Sequence, residues 1–150
     1  MLERLRRAMM LLAGAFVTNS CSNGPTAGPC VHTYEDAVLH VRNVTNSSTN
    51  APIPRIAITK VSIDGRTVTD VRALVEGIPV QGIQIAGDSL ICTTECAFGP
   101  RDGTYAFTAG AAGYQDKDVT LVASFARFVA GCPSSSGGGS IFEFGLQPVP

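Results

Sequence analysis

The sequence predicts an all-β fold, an antiparallel β-sandwich of about seven strands. Three observations predict it. Apolar and polar residues alternate with period two in several short runs, as half-buried strands require. Turn residues separate those runs at short, regular intervals. Glycine is frequent, with 16 residues, and prolines number 9 in 150, a profile that suits many strands and turns better than long helices.

The strongest segment is Asp102–Ser124 (DGTYAFTAGAAGYQDKDVTLVAS). In Gly103–Ala109, Tyr105, Phe107 and Ala109 share one face. In Asp118–Phe125, Val119, Leu121, Ala123 and Phe125 do the same. Gly113 and Tyr114 form the corner between them. Tyr114 is expected to bury its ring there and to give its hydroxyl a backbone partner.

The remaining elements follow in order. Ala37–Val44 alternates, with Leu39 and Val41 inward and His40 and Arg42 outward. Thr45–Pro52 is a turn of residues that bond their own backbone. Ile53–Ile63 is rich in β-branched residues, and its phase slips between Ile58 and Val61. That slip predicts a bulge near Thr59–Lys60 or cover on both faces. Asp64-Gly65 is a hairpin turn, with Arg66–Thr69 returning. Asp70–Gly77 reads either as a helical turn capped by Asp70 or as a short strand or loop. Ile78–Ala86 and Ser89–Thr93 flank the turn Gly87–Ser89. Thr94–Asp102 is a loop, and the Ser/Gly-rich run Ser134–Ser140 is a flexible loop before the last strand, Ile141–Leu146.

Residues 1–20 are predicted to be a signal peptide. Arg4, Arg6 and Arg7 precede the apolar run Ala8–Val17, which is too short to span a bilayer. Thr18-Asn19-Ser20-Cys21 resembles a bacterial lipoprotein cleavage box, with Thr18 and Asn19 standing where that box usually has Leu and a small residue. The expectation is that Cys21 is lipidated and anchors the chain to a membrane, in the cell envelope and by resemblance the outer membrane. The rival is an ordinary secreted protein cut nearby. Residues 21–29 then form a tether and residues 30–150 the domain. Without the three basic and one acidic residues of the leader, 8 basic and 11 acidic residues remain, a formal charge of −3. That argues against nucleic acid as a partner.

Cys30, Cys92, Cys96 and Cys132 remain after Cys21. An even number in an exported chain implies disulfides. Of three pairings, Cys30–Cys132 with Cys92–Cys96 is favoured. The first ties the opening of the domain to the start of its last strand, which in the chain-entropy model is worth up to ~4.7 kcal/mol for a loop of about 100 residues. The second pins a loop tip. Zinc is the rival, but no second Cys/His pair has ligand spacing.

Ala51-Pro52-Ile53-Pro54, Asp64-Gly65, Gly103-Thr104-Tyr105-Ala106-Phe107 and Gly113-Tyr114 together resemble carboxypeptidase regulatory-like domains, also called transthyretin-like or prealbumin-like sandwiches. Asn50 stands where the family motif has Gly, and Arg55 occupies its variable stretch. The resemblance covers roughly residues 37–146. It implies an Ig-like or prealbumin-like sandwich that acts as an accessory or binding module, without an active site or cofactor of its own.

Candidate chemistry is sparse. His32, Tyr34, Glu35 and Asp36 lie close in sequence and are a candidate polar patch, with too few ligands for a metal site. His40 is expected in solvent. Asp116 and Asp118 beside Lys117 form a surface turn without the calcium-loop pattern. No nucleophile elbow occurs. The preferred recognition site is the loop Thr93–Arg101, with Glu95, Phe98 and Arg101 on a disulfide-stapled tip. The expected role is binding an envelope protein or glycan, not catalysis. The alternatives are a purely structural spacer, a soluble secreted domain binding a small ligand or metal, and a transthyretin-related hydrolase. That hydrolase family ends in Tyr-Arg-Gly, whereas this chain ends LQPVP.

Overall fold

The computed structural model describes residues 29–150 except 80 and 94. The proposed signal peptide, Cys21 and the tether up to residue 28 lie outside the described residues. The described chain is all-β. In order its strands are β1 His32–Tyr34, β2 Leu39–Asn46, β3 Arg55–Ile63, β4 Arg66–Thr67, β5 Ile83–Ala86, β6 Ser89–Thr93, β7 Cys96–Phe98, β8 Gly103–Gly110, β9 Lys117–Ala123, β10 Arg127–Val129, β11 Ser134–Gly137 and β12 Ser140–Leu146. There are more than the seven expected because several are only two to four residues long, too short to show a period. No helix among the described residues is long and apolar enough to cross a membrane.

The largest sheet runs β5-β6-β3-β8-β9, with β4 paired to β3. All its pairings are antiparallel. A second sheet, β12-β2-β7, supplies the opposing face, and a third, β1-β11-β10, stands beside them. Two pairs depart from the antiparallel expectation: β2 with β12 and β1 with β11 are parallel. A parallel pair needs a long crossover, and here most of the domain intervenes.

One core joins the two larger sheets. Ile56, Ile58, Val61, Leu90, Tyr105 and Phe107 of the large sheet share it with Leu39, Val41, Phe98, Phe144 and Leu146. Phe98 meets Tyr105 and Phe107 edge-on, with ring centroids 6.4 and 5.8 Å apart, a favoured geometry for aromatic pairs. The slip in β3 is a bulge. Thr59 pairs with Thr108 but Ser62 with Ala106, and Lys60 has φ 51°. The extra residue lets Ile56, Ile58, Val61 and Ile63 all face inward. Asp64-Gly65 is a two-residue hairpin turn with φ 53° and 76°, the left-handed pair that a type I′ turn requires. Asp70 caps a short 3₁₀ turn, Val71–Leu74, by accepting the Arg72 N–H at 3.0 Å.

The corner tyrosine is Tyr105 rather than Tyr114. Tyr105 is fully buried and its hydroxyl donates to the Arg101 carbonyl at 2.8 Å. Tyr114 is half-buried, and its hydroxyl accepts from the Asn46 side chain at 3.4 Å instead of meeting the backbone. Gly99 makes room for Tyr105. Its φ is 94°, and a Cβ there would lie 2.7 Å from the Tyr105 hydroxyl and 2.8 Å from Val38.

The two disulfides pair as expected, Cys30–Cys132 and Cys92–Cys96. Their settings differ. Cys92 and Cys96 are buried and join the end of β6 to the start of β7, where the chain passes from one sheet to the next. Cys30 and Cys132 are exposed and extend the β1–β11 ladder, since His32 pairs with Ser134. Cys132 therefore leads into β11, not the last strand. The Ser/Gly run it opens is strand, not loop: Ser136 and Gly137 are buried. Small side chains are needed there, because a Cβ on Gly137 would lie 3.2 Å from Glu35 and from Arg127.

Two predictions follow from these contacts. Burial pushes the Tyr105 hydroxyl up to about 12 from an ordinary 10.0. The folded chain thus keeps a proton that the unfolded chain releases first. The contribution is complete below about pH 10 and is lost as pH rises towards 12. Urea unfolding should show Tyr105→Phe less stable by about 1 kcal/mol at neutral pH, with the gap to wild type narrowing above pH 10; a gap that stays constant contradicts this account. Under a mild dithiol reductant with alkylation, mass mapping should find Cys30 and Cys132 modified before Cys92 and Cys96. The reverse order would show that exposure does not control access here.

Candidate functional site

The expected recognition loop does not exist as one surface. Phe98 is 0% exposed and belongs to the core. Its run Cys96–Phe98 is strand β7, hydrogen-bonded to β2. Glu95 is exposed and lies 3.9 Å from Arg42. Arg101 is separate from it and pairs with Asp64 at 2.8 Å. The misreading has a simple cause: the cysteines flanking Thr93–Glu95 suggested a tip, whereas the second of them begins a buried strand.

Arg101 does border a different feature. The third sheet forms a trough lined by His32, Tyr34, Arg101, Asp102, Phe125, Phe128 and Ser136, with a volume of about 340 Å³. Strand register explains it. His32 pairs with Ser134, Tyr34 with Ser136, and Ser136 with Phe128. Residues directly opposite on adjacent strands share a face. Small serines on the central strand β11 therefore form a floor, and aromatic rings from both outer strands form the walls.

The rings are in mutual contact. His32 stacks against Phe128 at 6.0 Å with 22° between planes, and Tyr34 against Phe125 at 6.1 Å with 26°. His32 meets Tyr34 edge-on at 4.8 Å. The His32 ring is fixed by both nitrogens. Nδ1 lies 2.9 Å from the Ser134 hydroxyl and Nε2 3.0 Å from the Ser136 hydroxyl. Ser136 is only 4% exposed, whereas Phe128 is 66% exposed. Phe125 is held by its backbone N–H, which donates to the Asp102 carboxylate at 2.7 Å.

The charges around the trough are matched. Arg127 pairs with Glu35, and Glu35 also accepts from the Ser135 hydroxyl at 3.0 Å. Asp64 accepts the Thr104 N–H and the Arg101 guanidinium, each at 2.8 Å. Those two contacts, the backbone one first, hold its carboxyl below the usual carboxylate range. The patch expected from His32, Tyr34, Glu35 and Asp36 is thus divided. His32 and Tyr34 belong to the trough, Glu35 pairs with Arg127, and Asp36 lies 3.1 Å from His40. His40 is half-buried rather than solvated, with Nε2 3.0 Å from the Ala37 carbonyl.

Three hollows are larger. Two, of about 480 and 490 Å³, flank the turn after β8 and contain no aromatic ring, and a third, of about 410 Å³, has Phe144 as its single ring. In the first, Lys117 donates to the Gly145 carbonyl at 3.1 Å and Asp118 accepts from Thr108 at 2.6 Å. Among the described residues, no group of three or more His, Cys, Asp or Glu side chains is placed to hold a metal ion. Phe125, Phe128 and the serines are not expected at a site from the sequence, in which Phe125 reads as an inward strand residue and the serines as part of a loop. Their one local signal was an aromatic residue on either side of a single turn.

Comparison of the chain with protein-family models, with curated proteins and with solved structures finds no match.

Proposed function

We propose that this is a lipid-anchored cell-envelope protein whose β-sandwich is a binding module of the carboxypeptidase regulatory-like kind, and that the aromatic trough is its recognition surface. One observation carries the binding role: four rings line one concave surface, with Phe128 two-thirds exposed, while only Tyr34 and Phe125 of the four also lean on the apolar core. Aromatic side chains left in solvent at a concave, polar-rimmed site are typical of recognition.

A hydrolytic reading is weaker. His32 is placed between two serines, but both ring nitrogens are taken by them, and Ser136 lies buried beneath the rings. A serine nucleophile needs a base oriented by a third group and an exposed Oγ.

The anchor rests on the apolar run that ends just before Cys21 and on the tether after it. Metabolic labelling with a palmitate analogue should mark the wild-type protein and leave Cys21→Ala unlabelled. Equal labelling of the two would rule out lipidation at Cys21.

A further inference from the structure

We infer that the ligand of the trough is a neutral sugar, seated with the flat face of a pyranose ring against Phe128 and its neighbours. This rests on the reading of the trough as a recognition surface. A pyranose has an apolar C–H face and a rim of hydroxyls that both donate and accept. The trough offers the complement of each. Its walls are ring faces, two pairs of them nearly parallel. Its rim holds Arg101, with guanidinium N–H groups beyond the one given to Asp64, and Asp102, with a carboxylate oxygen beyond the one given to Phe125.

Charge narrows the class. Arg101 and Arg127 are each matched by a carboxylate, Asp64 and Glu35. An anionic ligand such as a phosphate or uronate would meet arginines whose charge is already offset and would sit beside the Asp102 carboxylate. A basic peptide would find Asp102 alone. A neutral polyhydroxylated ligand needs neither. The space, about 340 Å³, lies at the lower end of ligand sites, roughly 300–1,000 Å³. A space of that size suits one or two sugar units.

The protein contains no tryptophan, so Phe128→Trp creates a single emission reporter in the trough while keeping an aromatic wall. In the full chain purified in detergent, titration with cellotetraose, maltotetraose and chitotetraose should give a saturable blue shift with at least one of them. Phe128→Ala should bind that sugar roughly threefold to tenfold more weakly than wild type. No shift with any of the three, or equal affinity in Phe128→Ala, overturns the proposal. Cys92 and Cys96 that stay unmodified under the mild dithiol and alkylating agent, as in wild type, confirm that each variant is folded. A second arm places p-benzoylphenylalanine at position 128 and irradiates intact envelopes. A glycan adduct supports the sugar assignment. A polypeptide adduct overturns it but leaves the binding role standing, and no adduct overturns both.

Discussion

A single buried hydroxyl organises much of this domain. The Tyr105 ring closes the core against Phe98, and its hydroxyl reaches out of the core to the Arg101 carbonyl. That bond settles where the chain runs after leaving β7. Gly99 accommodates the phenol by lacking a Cβ, and its own N–H donates to the Leu74 carbonyl at 2.7 Å. Arg101 then lies beside the Asp64-Gly65 turn, and Asp64 takes both its guanidinium and the Thr104 N–H. A buried polar group without a partner costs about 1–3 kcal/mol. Satisfying this one therefore constrains the same short segment that brings Arg101 and Asp102 to the trough.

The trough depends on a second constraint, the narrowness of β11. Gly137 lies against Glu35 and Arg127, and the Ser134 and Ser136 hydroxyls are consumed by His32. Larger residues on this central strand would fill the space between the aromatic walls. The Cys30–Cys132 bond holds the ladder at its open end, next to the one pairing that β1 makes among the described residues. In the chain-entropy model, closing a loop of about 100 residues in this way stabilises by up to ~4.7 kcal/mol. A three-residue strand with one neighbour has little else to keep it in register.

These constraints explain what was legible in the sequence. The β3 bulge appeared as a phase slip because inward positions must resume after the extra residue. Asp64-Gly65 and the Asp70 cap were legible because their chemistry is local. The cysteine pairing was legible because four cysteines expected to be oxidised have only three ways to pair. The trough was not. His32 and Tyr34 meet Ser134 and Ser136 across a hundred residues, and serine carries no hydrophobic period to mark β11 as strand. Phe98 misled for a related reason. A three-residue strand between a disulfide and a glycine has the composition of a loop, and only its pairing with β2 reveals its burial.

The position of the trough also bears on the proposed anchor. The strand that carries His32 and Tyr34 begins two residues after Cys30. If Cys21 carries the lipid, eight residues separate it from Cys30, a span of at most about 30 Å over the nine steps when fully extended. The aromatic face then belongs to the end of the domain tied to the membrane. A ligand reaching it has to approach a domain whose first cysteine lies within that distance of the bilayer surface, which favours glycans of the envelope itself over solutes free in the surrounding medium. The Cys30–Cys132 bond would also carry any pull on the tether into β11, so the strand beneath the aromatic rings is the one that a tethered domain most needs to hold.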